Sequence, residues 1–185
     1  MPIFLILGAL ALIFMGKHGE ATKVSNEDNA DTLPDVDSTQ AHDSHSKEFD
    51  DAFEMASHAT GVPFALIKAH AIRESALKPD AYRYENTTVG ASYGLMQVLW
   101  HTGKDKFAKW GYPDEDLGTG DKLFEPDVSA LLGAQIIADN LTRLSLRDAI
   151  NAYNTGVAES VRVAPNNYVN DVLKYYSQIV GRTVS

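Results

Sequence analysis

The segment "FALIKAHAIRES", residues 64–75, is apolar on nearly every side when wound as a helix, and this restricts the fold more than any other feature of the chain. Leu66, Ile67, His70, Ala71 and Glu74 share one face by i, i+3, i+4 spacing, and Ala65, Ala69 and Ile72 flank that face. Only Lys68 and Arg73 are expected to reach solvent. Such a helix must lie at the centre of a domain, with other helices around it. The chain has the material: 185 residues, of which 44% are hydrophobic, suit one compact domain plus an extension.

From Lys47 onward the helical period dominates, and the boundary residues agree with it. Pro63 opens a helix after Gly61, Pro126 opens another after "LFE", Ser145 caps "LRDAINAYN", and Gly156 and Gly181 are expected to stop helices. The stretch from Pro79 to Gly94 is rich in turn residues, Tyr and Thr, which predicts a loop or a small β-hairpin between helices. The expectation is a mainly α domain over residues 47–185 with at most that hairpin.

Two segments precede it. Residues 1–18 contain the uncharged run "PIFLILGALALIFMG", which as a helix spans only ~22 Å against a hydrocarbon core of ~30 Å. No Lys or Arg precedes the run and "FMGKHGEA" is a poor cleavage site, so a retained N-terminal membrane anchor is favoured over a cleaved signal. Residues 19–46 have few large apolar side chains and many Asp, Ser, Asn and Thr, the composition of a flexible acidic linker. His42, Asp43 and His45 fall in that linker and are read as solvated, so no metal is expected. The formal net charge of −9, with nine acids against three lysines in residues 17–50, argues against a nucleic-acid partner. The absence of cysteine removes disulfides, thiolate metal sites and a Cys nucleophile.

Glu74 is the residue out of place. A carboxylate on a central helix is partly desolvated, and near the helix C-terminus it also meets an unfavourable dipole; both raise its pKa. A carboxyl kept protonated near neutral pH suits a general acid for glycosidic cleavage, where the leaving oxygen must receive a proton. The competing expectation is a Glu that escapes to water or pairs with Arg73 or His70.

Three motifs bear on that choice: "ES" at Glu74–Ser75, "ASYGLMQV" at Ala91–Val98 and "INAYNTG" at Ile150–Gly156. In this order and spacing they resemble the lytic transglycosylase (SLT) domain family, which has a goose-type lysozyme-like fold. "LFEPDVSALLGAQIIADNL" resembles the family's central helix after its "dP" step, so the likeness spans roughly residues 50–180. The resemblance implies that Glu74 is the catalytic acid, that Gly94 to Gln97 contact substrate, and that Tyr153 orients the acid. On chemical grounds Gln97 offers both donor and acceptor to sugar groups, Gly94 permits close backbone approach and Met96 gives an apolar wall. Ser75 and Ser92 are further candidate sugar contacts, with capping of the helix end as the alternative for Ser75, and Asn154 is a candidate for substrate binding or for capping its helix. Two departures are visible: the stretch between "ES" and "GLMQ" is longer than in compact members, and Ser129 stands where Asn is usual.

The resemblance implies cleavage of the bond between N-acetylmuramic acid and N-acetylglucosamine in peptidoglycan, with one Glu as acid and base and a 1,6-anhydromuramoyl end as product. It implies no metal and no organic cofactor. It also implies a domain facing the periplasm or cell wall, in a bacterial envelope, a secretion or conjugation apparatus, or a phage virion or lysis setting. Two alternatives stay open: a hydrolytic muramidase on the same fold, for which Asp80 and Glu85 are the second-carboxylate candidates although both read as solvated turn residues, and a non-catalytic peptidoglycan-binding module.

Overall fold

The computed structural model describes residues 46–86, 90–100, 107–108, 120–156 and 167–183. The expected anchor, nearly all of the linker and the His42, Asp43, His45 group lie outside the described residues. Among the described residues no helix is long and apolar enough to cross a membrane.

Five α-helices are described: α1 (Asp50–Thr60), α2 (Phe64–Ser75), α3 (Pro126–Leu141), α4 (Leu146–Thr155) and α5 (Asn167–Thr183). Three short strands, β1 (Tyr82–Asn86), β2 (Gly90–Tyr93) and β3 (Val98–Leu99), follow α2, and a single 3-10 turn (Asp121–Phe124) precedes α3. The boundaries have local causes. Gly61 and Gly156 adopt left-handed φ of 75° and 74° and return their N–H groups to the helices they end. Pro126 takes the first position of α3, and the Ser145 hydroxyl caps α4 by accepting from the Asp148 N–H at 3.3 Å. Gly181 does not stop α5, which continues to Thr183. Its missing side chain lowers helix propensity without breaking the backbone, and Ile179, buried on the same helix, holds that end in place.

The helix α2 is central. Its residues from Ala65 to Ile72 are all buried, α5 and α1 pack on it, and α3 packs on both α1 and α2. Lys68 is a correction to the expected solvent position: it is 4% exposed, and its Nζ donates to Asp50 Oδ1 of α1 and to the Ser46 carbonyl, both at 2.6 Å. The ammonium also lies 5.6 Å from the Phe64 ring centre, so its burial is compensated by a paired charge and an aromatic face. Arg73 stays exposed, where its Nε donates to Asp171 of α5 at 3.0 Å.

The three strands form one antiparallel sheet in the order β1, β2, β3, so the expected hairpin has gained a third strand. The "GLMQ" residues make the turn between β2 and β3. In β1 the two-residue period sends Tyr82 and Tyr84 to the exposed face and Arg83 and Glu85 to the opposite one.

Candidate active site

Between the sheet and the helices lies a cleft of about 470 Å³, lined by Glu74 from α2, Arg83 and Glu85 from β1, Ser92, Gln97, Val98 and Leu99 from the sheet and its turn, Ile136 and Asn140 from α3, and Ala152 to Gly156 from the end of α4. Glu74 is placed there by the way α2 ends. Ala76 and Leu77, neither a glycine, follow at φ 56° and 61°, so the chain leaves the helix abruptly just after the carboxyl. The turn is held by the Ala76 N–H on the Ile72 carbonyl and by the Lys78 N–H on Ser75.

Burial raises the Glu74 pKa to about 7, and the nearby Glu85 charge adds to the rise; a hydrogen bond from Tyr168 and the charges of Arg83 and Arg73 oppose it. Neither expected alternative partner takes the carboxyl: Arg73 pairs with Asp171, and the His70 ring bonds the Leu66 carbonyl. The partner is the Tyr168 hydroxyl of α5, which donates to Glu74 Oε1 at 2.5 Å.

Tyr153, expected to orient the acid, makes a different bond. Its hydroxyl donates to the Met96 carbonyl at 2.7 Å, and its side chain lines the cleft beside Glu74. The phenol–carboxyl bond belongs to Tyr168. Nothing in the sequence separated Tyr168 from the other apolar positions of α5; the one usable signal was that a buried phenol needs an acceptor. Burial, followed by the Glu74 charge, raises both phenols well above their ordinary pKa, so they act as donors throughout the neutral range.

The other candidates divide. Gln97, Ser92 and Asn154 line the cleft, whereas Ser75, Gly94 and Met96 serve the frame behind it. Ser75 is buried and bonds the carbonyls of Ala71 and Leu95, tying the end of α2 to the "GLMQ" turn. Gly94 is required by packing, since a Cβ there would lie 1.9 Å from the Leu123 carbonyl oxygen and its φ is +72°. Met96 is fully buried against Gly133 of α3. Its N–H donates to the Ser129 hydroxyl at 3.1 Å, so the residue that departs from the family pattern anchors the turn. Gln97 adopts φ 45° and commits its amide nitrogen to the carbonyls of Ala81 and Gly94, at 3.0 and 3.1 Å, which fixes the side chain at the cleft wall. The Ser92 hydroxyl donates to Glu85 at 2.9 Å.

Asp80 is exposed and does not line the cleft. Glu85 does, which corrects its expected place in a solvated turn: it is a strand residue whose carboxylate receives both Ser92 and the Arg83 Nε, the latter at 2.7 Å.

Residues 51–174 match the model of the Transglycosylase SLT domain family, and the chain belongs to that family. The mainly helical fold with a small sheet is lysozyme-like, in keeping with the sequence resemblance. Protein IpgF of Shigella flexneri is 24% identical over 134 residues, covering 72% of this chain and 84% of IpgF. The X-ray structure of an inactive mutant of the lytic transglycosylase Slt from Pseudomonas aeruginosa superposes with a TM-score of 0.56 at 25% identity. That likeness covers 71% of this chain, which spans 24% of the length of the Slt chain.

Proposed function

We propose that this chain is a peptidoglycan lytic transglycosylase with Glu74 as its single general acid and base. The observation that carries the proposal is a carboxyl with a pKa of about 7, at the wall of a cleft, bonded to a phenol that remains a donor. Membership of the SLT family and the likeness to Slt support the glycan strand of peptidoglycan as the substrate class.

The chemistry follows from one group used twice. Protonated Glu74 gives its proton to the glycosidic oxygen as the bond from that oxygen to C1 of N-acetylmuramic acid breaks. The substrate's own acetamido group stabilises C1. The Glu74 carboxylate then takes the proton of the C6 hydroxyl, whose oxygen bonds to C1 and closes the 1,6-anhydro ring. Protons balance and no water is added. The Tyr168 hydrogen bond holds the carboxylate between the two steps, and its release lets the acid form return.

A hydrolytic second reading is favoured by one observation, the presence of Glu85 on the same cleft, where it could direct water to C1. Analysis of muropeptides released from purified sacculi separates the two. Anhydro ends, unaffected in kind by Glu85→Gln, support the transglycosylase; reducing ends lost in Glu85→Gln favour the muramidase. Glycan binding without turnover would support a non-catalytic module instead. The apolar run 2–16 supports a membrane tether with the domain facing the cell wall, and partitioning of the full chain into an alkali-resistant membrane fraction tests it.

A further inference from the structure

His70 lies one helical turn before Glu74 on α2 and is wholly buried. Its Nδ1–H donates to the Leu66 carbonyl at 2.9 Å, which leaves Nε2 as the acceptor, yet among the described residues Nε2 has no hydrogen-bond partner. Burial holds the ring pKa down at about 4, so the imidazole is neutral wherever Glu74 titrates. An alkyl side chain would fill the same position without leaving a polar atom unsatisfied. The ring meets two phenols, Tyr153 of the cleft wall and Tyr168 behind Glu74: its centre lies 5.0 Å from that of Tyr153 and 6.2 Å from that of Tyr168, both in edge contact.

The two phenols differ in what the reaction does to their acceptors. Tyr153 donates to the Met96 carbonyl, which no proton transfer alters. Tyr168 donates to Glu74, which the proposed cycle protonates and deprotonates. A neutral carboxyl is a much weaker acceptor than a carboxylate, and an imidazole nitrogen is stronger than a neutral carboxyl.

We propose that His70 is a positioning residue for the acid, its Nε2 being the second acceptor to which the Tyr168 hydroxyl turns while Glu74 carries its proton. The Tyr168 O–H bond stays intact throughout; only its partner changes. The titratable and charged groups around the pair are Tyr153 from α4, Tyr168 from α5, Arg83 and Glu85 from β1 and Arg73 from α2. By giving the protonated state a satisfied phenol, His70 stabilises the acid form and holds the alkaline limb of activity at higher pH. The proposal rests on the reading of Glu74 as general acid.

The test uses the full chain with His70→Leu, His70→Gln and Glu74→Gln, measuring kcat and KM for muropeptide release against pH, with Tm alongside. His70→Leu is expected to keep or raise Tm and leave KM unchanged, while the alkaline limb of kcat moves down by about one pH unit, so that activity above the limb falls about tenfold. His70→Gln, which returns an acceptor near the Nε2 position, restores the limb, and His70→Leu has no further effect in a Tyr168→Phe background. A wild-type limb in His70→Leu overturns the proposal, as does parallel loss of Tm and kcat in both variants. Should His70→Leu not fold, the ring 15N shift of His70 in the wild-type protein decides: a step at the Glu74 pKa, absent in Glu74→Gln, supports the proposal and a flat trace overturns it. Activity retained in Glu74→Gln would instead sink the functional reading itself.

Discussion

Tyr168 and Glu74, 94 positions apart in sequence, meet at 2.5 Å across the packing of α5 on α2. This bond favours the carboxylate and so opposes the burial that raises the Glu74 pKa. Tyr168→Phe therefore raises that pKa further. The initial step needs the protonated form, so the alkaline limb of kcat moves to higher pH, while kcat on the plateau falls about tenfold as the carboxylate loses the group that orients it. A pH profile of muropeptide release checks both directions.

Glu74 also costs stability at the pH where it is used. Its pKa is about 7 in the fold against 4.5 for the ordinary carboxyl, so between those values the folded state holds a proton the unfolded chain has lost, and stability falls as pH rises. Glu74→Gln removes this penalty. The variant is expected to be more stable than wild type by about 2 to 3 kcal/mol above pH 7, an advantage that vanishes below about pH 4.5. Urea unfolding at pH 4.5 and pH 8 measures it.

His70 works with the opposite sign. With a folded pKa of about 4 against 6.5, the unfolded chain binds the extra proton as pH falls through that window, and stability drops on the acid side. In wild type the two slopes oppose each other between about pH 4.5 and 6.5. In Glu74→Gln the His70 slope stands alone, so Tm should rise with pH to about 6.5 and then level.

The turn behind Gln97 depends on space as well as hydrogen bonds. Gly94→Ala would drive a Cβ into the Leu123 carbonyl from a left-handed backbone, and is expected to cost roughly 2 kcal/mol or more. Ser129→Ala leaves the buried Met96 N–H without its acceptor, for a loss of about 1 to 3 kcal/mol. Both should lower activity by displacing Gln97, read as a rise in KM with little change in the kcat pH limb.

Helix boundaries were legible in the sequence because their causes are local: Pro63, Pro126, Ser145 and Gly156 act through their own backbone or hydroxyl. Gly181 misled because helix propensity is a weak term, overruled by the packing around Ile179. Lys68 and Glu85 misled for a related reason. Whether a charged residue is buried depends on a partner that sequence proximity does not reveal, Asp50 for Lys68, and Ser92 with Arg83 for Glu85. The identity of Glu74 as the carboxyl at issue followed from the apolar helix around it. Its phenol partner did not, since Tyr153 and Tyr168 both sit on apolar helical faces and only tertiary packing sends one hydroxyl to Met96 and the other to Glu74.

Mass spectrometry of soluble muropeptides released from purified sacculi by the full chain and by Glu74→Gln decides whether Glu74 is the single acid and base of a lytic transglycosylase. With Glu74 in both roles the products are lighter by one water than reducing muropeptides, and their release falls by a factor of at least about a hundred in a Glu74→Gln variant that remains folded. Undiminished release of anhydro products by Glu74→Gln would contradict it.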